Sequence, residues 1–450
     1  MIPQISKKIT GEVQITADTK AKLLKEIKGI PDFKKIIDSF AKEETSRILE
    51  IIFGGAIILD ASDVHIEPEE EKAKIRVRID GILQDVTLLD QKIYQNVLSR
   101  IKLLSGIKLN IFDRPQDGRF SIVGGELKNK EKNKISIANS AAIEVRVSTL
   151  PAEHGESIVL RVLSTKNLIS LETLGLREDL LSAIKNEIKK PNGMIVITGP
   201  TGSGKTTTLY AFLEKITKPE IKIITIEDPI EYHLKGVSQT QVSPEKGYDF
   251  ASGLKSIMRQ DPDVILVGEI RDTETVQIAL QAALTGHLVF ATLHTNDAAG
   301  TIARMISLGA TPINIAPAIN MAIAQRLVRK ICEKCGTFEK ISLQDLSKIK
   351  KELQGIPEKI KIPKLDKETK IPKIKGCSYC NFTGYRQRMG IFEAFLVDKE
   401  MEKFILSSPS ITSLKEKAVK KGMVTLKQDG IIKALEGLTT IEEVERVAGE

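Results

Sequence analysis

The sequence predicts an α/β protein in which a parallel, helix-covered sheet follows a smaller α+β domain. Between residues 194 and 307, short apolar runs alternate with helix-forming segments, as in a parallel sheet whose connections cover it. Before that region, residues 73–79 and 142–147 alternate apolar and polar side chains with period two, as half-buried strands do. After it, two C-x-x-C pairs predict a metal-binding module.

Length and composition limit what the chain can be. With 450 residues, of which 41% are hydrophobic, it is long enough for two or three domains with real cores. No apolar run reaches the length of a membrane span and no signal-peptide core follows the N-terminus, so we expect a cytoplasmic protein. The net charge is +8, and much of the excess lysine lies in residues 347–375. We interpret that stretch as a solvated, insert-like loop in preference to an anion-binding patch, although a basic balance also suits an anionic membrane surface.

The first half of the chain is predicted to form an α+β domain behind a short N-terminal helical segment. Residues 1–45 are charged and helix-prone, and they precede a domain that we place at 46–166, with a linker at 167–175. A hairpin turn is expected at Asp80-Gly81, directly after an alternating strand. The other predicted elements are a helix ending near Ile58, a strand starting at Ser62, a helix at 91–108, strands at 120–123, 142–147 and 157–162, and a Lys/Asn-rich turn at 128–134.

The second half, residues 176–450, is predicted to carry the parallel sheet. It includes the metal module at 330–390 and a mostly helical C-terminus at 391–450. The predicted strands are 194–198, 222–226, 264–267 and 288–292; the predicted helices are 205–216, 250–260, 273–284, 298–307, 411–421, 425–436 and 440–448.

A glycine-rich turn between the first of these strands and its helix predicts a phosphate-binding loop. Gly199, Gly202 and Gly204 let successive N–H groups point at one anion, and the following helix adds the positive end of its dipole. We expect Lys205 to reach the β and γ phosphates of ATP, and the Thr206 hydroxyl to bind Mg²⁺. The predicted nucleotide-binding residues are Gly199, Pro200, Thr201, Gly202, Ser203, Gly204, Lys205, Thr206 and Thr207.

Acidic residues follow two other buried strands. One of them ends in Glu227 and Asp228, with Glu231 close behind, and a carboxylate at that position can orient and deprotonate an attacking water. The alternative is an acidic turn that caps a helix. Glu269 follows the next strand, where Gly268 takes the place of the usual strand-end Asp, and we expect it beside the Mg²⁺. His294 ends a further strand at the same sheet edge as the phosphate loop, and we expect it to sense the γ phosphate.

The four cysteines form two pairs, Cys332/Cys335 and Cys377/Cys380, with none left over. In a cytosolic chain such pairs favour metal over disulfides, because two tight turns with two thiolates each complete a tetrahedron around Zn²⁺. The alternatives are four buried free thiols or redox pairs. The absence of a fifth ligand candidate nearby favours a closed, structural zinc site.

Together and in this order, the motifs resemble those of the secretion ATPase superfamily, and within it the type II secretion and type IV pilus assembly ATPases. The resemblance runs from about Ile48 to the C-terminus and includes the segments 258–263, 325–329 and 384–390. It implies a PAS-like domain followed by a RecA-like P-loop ATPase domain, assembled as a homo-hexameric ring. The tetracysteine module favours assembly or secretion over pilus retraction.

The same resemblance implies roles for individual residues. Glu227 becomes the general base and Glu269 the Mg²⁺ ligand. Arg146 and Arg161 match arginines that the first domain swings onto the phosphates, and Arg119 is a third candidate. Arginines beside the transferred phosphoryl group would stabilise the negative charge that develops on it. The alternative is that these arginines are outward-facing charges on an alternating strand.

The implied function is that of a cytoplasmic motor at the inner face of the cell membrane. It would hydrolyse ATP to ADP and phosphate, and domain rotation would drive an inner-membrane platform protein that assembles pilin-like subunits. A DNA-uptake ATPase of the same superfamily is an alternative. A nucleic-acid-dependent motor with a zinc ribbon is another, but the chain has no Trp and only 4% aromatic residues, so we expect no direct nucleic-acid binding.

Overall fold

The computed structural model describes residues 11–40, 43–124, 142–163 and 169–449, and the chain divides into two compact units. Unit 1 consists of Met1–Lys166 together with the short segment Gly376–Gly384. Unit 2 consists of Asn167–Lys375 and Tyr385–Glu450. Within the described ranges, every helix is too short or too polar to cross a lipid bilayer.

Unit 1 is built on one mixed sheet with helices packed on it. Its elements are β1 (Glu12–Ile15), α1 (Ala17–Glu26), α2 (Ile30–Phe40), α3 (Thr45–Ile58), β2 (Ala61–Pro68), β3 (Lys72–Ile79), β4 (Ile82–Asp90), α4 (Gln91–Ser105), β5 (Gln116–Gly124), β6 (Ile143–Ala152) and β7 (Gly155–Leu163). The seven strands lie in the order β1-β5-β6-β7-β2-β3-β4. β1 runs parallel to β5, and the other neighbours are antiparallel. Alternate strand residues and the apolar helix faces share one core, in which Phe53 packs edge-on against Phe120.

Most predicted elements of unit 1 are confirmed, with shifts of a few residues at their ends. Asp80 and Gly81 both have positive φ, 50° and 84°, as a two-residue hairpin turn requires. The N-terminal segment differs from the prediction because it contains strand β1 as well as helices. Val13 and Ile15 are buried in the same core as the rest of the unit. The predicted Lys/Asn-rich turn at 128–134 lies outside the described residues.

Unit 2 carries the second sheet. Its elements are α5 (Glu178–Glu187), β8 (Gly193–Thr198), α6 (Lys205–Ile216), β9 (Ile223–Glu227), β10 (Ser238–Gln241), α7 (Phe250–Ile257), β11 (Val264–Val267), α8 (Thr273–Leu284), β12 (Leu288–Leu293), α9 (Gly300–Ser307), α10 (Pro312–Ala318), β13 (Ile319–Ile331), β14 (Thr337–Lys340), α11 (Leu343–Glu352), β15 (Lys370–Lys373), β16 (Tyr385–Leu396), α12 (Lys399–Leu406), α13 (Ile411–Lys420), α14 (Leu426–Leu435) and α15 (Ile441–Ala448).

The main sheet of unit 2 has the order β10-β9-β11-β12-β8-β13-β16. All neighbours are parallel except β13 and β16. Strands β8, β9, β11 and β12 are buried along their whole length, with apolar clusters on both sides. The predicted helix-covered parallel sheet is therefore confirmed. Its parallel strands end at one edge, which is where ligands bind in such sheets.

Two parts of unit 2 differ from the prediction. Residues 391–396, predicted as part of a helical C-terminus, form the end of β16, because each residue there pairs with the long strand β13. The lysine-rich stretch between the cysteine pairs is not a plain loop, since it contains α11 and β15. Leu346 and Ile349 of α11 pack in a small core with Ile431 of α14, and this burial holds the segment in place.

Candidate nucleotide-binding site

The predicted phosphate loop lies between β8 and α6, with the backbone its glycines were expected to supply. Gly199, Gly202 and Gly204 have φ of 151°, 80° and 88°, which side chains with a Cβ rarely adopt. A Cβ added to Gly202 would meet no atom within 4 Å, so this part of the loop faces open space. Helix α6 begins at Lys205, and the N–H groups of its first turn lie at the end of the loop. The geometry fits an anionic group such as a phosphate.

Lys205 lies folded over the loop. Its Nζ donates hydrogen bonds to the carbonyl oxygens of Gly199 and Pro200, at 2.7 and 3.1 Å. Burial lowers the pKa of Lys205 to about 8; nearby Glu269 opposes this shift and the Arg326 charge adds to it. Among the residues the structure describes, Lys205 donates hydrogen bonds to carbonyl oxygens only, so its charge at neutral pH lacks a full counter-charge and its Nζ can transfer to phosphate oxygens. Thr206 and Thr207 follow it on the first turn of α6.

Glu269 and His294 lie together at the carboxyl edge of the sheet. His294 follows Leu293, which is paired with Thr198, the residue before the loop. Its Nε2 is 3.2 Å from Oε1 of Glu269, whose other oxygen pairs with Arg271 at 2.7 Å. Burial alone would raise the pKa of Glu269, but Arg271, His294 and Lys205 together hold it below its ordinary value. Burial and the Lys205 charge lower the pKa of His294, so the imidazole is neutral near pH 7.

Glu227 occupies a different environment from Glu269. It is only 3% exposed, and its Oε1 accepts hydrogen bonds from Thr225 at 2.6 Å and Gln239 at 3.2 Å. Its Oε2 accepts from the hydroxyl of Tyr210 on α6. Burial, followed by the Glu227 charge, raises the pKa of Tyr210, which keeps this donor protonated. Glu227 is therefore held as a hydrogen-bond acceptor inside the sheet, and its role as a general base stays a prediction.

The predicted arginines lie side by side in unit 1. Arg119, Arg146 and Arg161 are direct cross-strand partners on β5, β6 and β7. Arg161 pairs with Asp63 at 3.0 Å, and Glu144 is 4.0 Å from Arg146. Like charges on directly opposite positions destabilise a sheet. Glu144 is also 3.7 Å from Arg119, so each of the three has a carboxylate nearby, and their role stays a prediction.

The pairing of β13 with β16 brings the chain segments that carry the two cysteine pairs close together. Ile331 of β13 is in register with Tyr385 of β16. The cysteine pair that follows Ile331 therefore lies near the pair that precedes Tyr385. The four sulfurs lie within 4.8 Å of one another, and Cys377 Sγ is 3.8 Å from Cys380 Sγ. Zn–S bonds of about 2.3 Å in a tetrahedron place sulfurs about 3.8 Å apart. The cluster is therefore compatible with zinc.

The sequence pattern alone assigns no role to Gln325 and Arg326, although both border the phosphate loop. The Oε1 of Gln325 accepts a hydrogen bond from Thr208 at 2.8 Å, and a Cβ on Gly204 would lie 2.8 Å from its Nε2. Arg326 lies beside Gly199. The signal was a polar pair interrupting an otherwise apolar run, but only the pairing of β13 with β8 shows where the pair lies.

The site combines a strand, a glycine-rich turn and a helix with a lysine and a strand-end carboxylate at the sheet edge. This combination defines a nucleotide-binding protein of the phosphate-loop class. Comparison with known proteins narrows this class. Residues 40–446 match the model of the family described as "Type II/IV secretion system protein". The chain belongs to this family.

Similar proteins include members from several bacteria. The chain is 38% identical over 460 residues to "Type IV pilus assembly ATPase PilB" of Thermus thermophilus, covering 98% of this chain and 48% of that protein. It therefore spans about half the length of this relative. It is 40% identical over 430 residues to "Type II secretion system ATPase E" of Vibrio cholerae, covering 94% of this chain and 78% of that one.

Solved structures share the fold. The pilus retraction motor PilT with bound ADP is 27% identical, with a TM-score of 0.56 over 88% of this chain and 95% of PilT. The Legionella pneumophila ATPase DotB is 22% identical, with a TM-score of 0.62 over 89% of this chain and 95% of DotB. Both support the mixed α/β fold described above.

Proposed function

We propose that the protein is an ATPase that converts ATP hydrolysis to ADP and phosphate into motion within a pilus-assembly or secretion machine. The observation that carries this proposal is the placement of Lys205 beside Glu269 and His294 at the carboxyl edge of the sheet. The relatives' names add support, since they are ATPases of type IV pilus assembly and type II secretion.

Different residues of unit 2 bind the phosphates, hold Mg²⁺ and respond to the bound nucleotide. Lys205 leaves its two carbonyl partners and donates to the β and γ phosphates, while the loop N–H groups hold the same oxygens. Thr206 and Glu269 would hold Mg²⁺, which supplies further positive charge to the phosphates when bound. His294, neutral and within hydrogen-bond distance of Glu269, is placed to respond when that carboxylate changes its partners.

The general base comes from the acidic segment that follows β9. Glu227 is the predicted base, but it accepts a proton from water only after losing some of its three side-chain donors. Asp228, which is exposed, and Glu231, which is partly exposed, are the other two carboxylates of the segment. Replacing Glu227 and Glu231 by Gln and Asp228 by Asn separates the three, because the base variant loses turnover while retaining nucleotide binding.

The assembly proposed for this subunit is a homo-hexamer in the cytoplasm, bound to an inner-membrane platform protein. In it, unit 2 is the RecA-like domain and unit 1 the PAS-like domain, whose Arg146 and Arg161 contact the phosphates in the closed state. The placement of these arginines side by side on neighbouring strands supports that role, since one phosphate can accept hydrogen bonds from more than one of them. The tetracysteine cluster is proposed to be a structural zinc site.

Replacing Lys205 by Ala tests the enzymatic proposal. Loss of this donor removes charge stabilisation from the transferred phosphoryl group, and we expect ATP turnover to fall by at least about a hundredfold. Phosphate release by the purified full chain measures it, with circular dichroism as a check on folding.

The matched control is Lys215→Ala at the other end of α6, where the lysine pairs with Glu172 on the surface. That variant should keep normal turnover. Full activity in the Lys205 variant would refute the proposed site.

A further inference from the structure

Arg326 lies against the phosphate loop because of strand pairing. Ala324 of β13 is in register with Thr198, the last residue of β8, so the residues after Ala324 run beside the loop. A Cβ placed on Gly199 would be 3.1 Å from Nη1 of Arg326. This is closer than most Cβ contacts in proteins, so the guanidinium lies directly against the first residue of the loop.

The guanidinium is held without a counter-charge in contact. Its Nη1 donates to the carbonyl oxygen of Gln325 at 3.2 Å, and its Nη2 to that of Asn296 at 2.8 Å. Among the described residues, Arg326 forms no ion pair with any carboxylate. It is half-buried, and burial lowers its pKa despite the more distant charges of Glu393 and Asp297. A partly desolvated cation of this kind is stabilised by an anion.

A second observation on the same side of Gly199 points to a ligand. The hydroxyl of Ser203 is buried, with the residue 4% exposed, and has no hydrogen-bond partner among the described residues. Its Oγ lies 2.6 Å from the Cβ position of Gly199, the point that Arg326 also approaches. An unpartnered hydroxyl costs free energy in the ligand-free loop, and an oxyanion offers it an acceptor.

We infer that Arg326 is a second phosphate-binding cation of the site, acting beside Lys205 on a nucleoside di- or triphosphate. The inference rests on the proposed function and extends it to a residue outside the glycine-rich motif. Arginine suits the position, since two of its N–H groups donate to the carbonyl oxygens of Gln325 and Asn296 while others remain for phosphate oxygens. Because it also binds the carbonyl of Asn296, it connects the phosphates to the segment that follows His294.

The experiment compares Arg326→Gln with Arg304→Gln, which removes a surface charge from α9 of the same unit. Isothermal titration of the purified full chain with ADP, pyrophosphate and adenosine measures how affinity depends on phosphate. We expect Arg326→Gln to weaken ADP and pyrophosphate about ten- to hundredfold and to leave adenosine within about twofold. Arg304→Gln should match the unaltered protein. An equal loss for adenosine, or no loss for ADP, would overturn the inference.

A second measurement uses the unaltered protein, so it does not depend on the variant's folding. An arginine-specific dicarbonyl reagent, read out by mass spectrometry, should modify Arg326 less when ADP is bound, while Arg304 is modified equally. Unchanged modification of Arg326 would overturn the inference. If the unaltered protein hydrolyses ATP and Arg326→Gln binds ADP normally, this inference fails and the proposed function stands; activity in Lys205→Ala would instead defeat the proposed function.

Discussion

Arg326 and Arg329 lie three residues apart on β13, yet their environments differ. Arg329 pairs with Glu443 of α15 at 2.7 Å, donates to it from Nε and backbone N at 3.0 Å, and stacks on Tyr385 at 4.0 Å. Within the described part of the chain, Arg326 has only carbonyl oxygens as hydrogen-bond partners. Both are partly buried cations in one strand, but the first is fully compensated by protein and the second is not.

The difference separates structural charges from charges placed for a ligand. Near Arg329, Arg446 also binds Glu443. Burial alone would raise the pKa of this carboxyl, but the two guanidinium groups lower it to about 2. Around the phosphate loop, Lys205 and Arg326 both donate to carbonyl oxygens, and the Ser203 hydroxyl finds no hydrogen-bond partner in the ranges that the structure describes. The charges around Arg329 and Glu443 compensate one another and stabilise the packing. The positive charges around the phosphate loop are compensated only when an anion binds.

The largest expected effect in the structural cluster comes from Glu443→Ala. The carboxylate is fully buried and serves two arginines, so its loss leaves unpaired charge and should lower the free energy of unfolding by about 3–5 kcal/mol. Urea unfolding measures this. ADP affinity of the folded variant should stay within about twofold, and a tenfold change would break the proposed separation of the two clusters.

At the phosphate loop, we expect the binding of ADP to depend on pH. Lys205, whose charged neighbours are Glu269 and Arg326, has a pKa near 8 without ligand, and phosphates favour its protonated form. ADP affinity should therefore weaken as pH rises above about 8, by at most about tenfold per pH unit. Titrations from pH 7 to 10 test this. Lys205→Arg, which keeps its charge, should give a flat profile; a flat profile in the unaltered protein would contradict the prediction.

The smallest effect is expected for Arg446→Gln. This arginine also binds Glu443, but its side chain is 47% exposed, and Arg329 remains to compensate the carboxylate. Solvent screening should limit the loss to about 1 kcal/mol or less in urea unfolding. A loss as large as that of Glu443→Ala would show that exposure does not decide the contribution of each pair.

The phosphate loop was predictable because its requirements are local. Spacing of Gly199, Gly202 and Gly204 sets the backbone, and the neighbouring apolar run and helix set its context. The environment of Glu227 was not predictable in this way, since Tyr210 comes from α6 and Gln239 from β10. The strand at 391–396 was missed for the same reason, because its partner β13 is remote in sequence.

The sequence by itself determined the alternation of strands and helices, the glycine-rich loop and the pairing of cysteines, because each depends on residues close together in the chain. Only the tertiary structure decided which charges are satisfied. Arg326 and Arg329 are the same residue type in one strand, and their difference arises from what lies opposite: a loop carbonyl for one and Glu443 for the other. The energy of a buried charge depends on partners brought together by folding, and no local pattern encodes them.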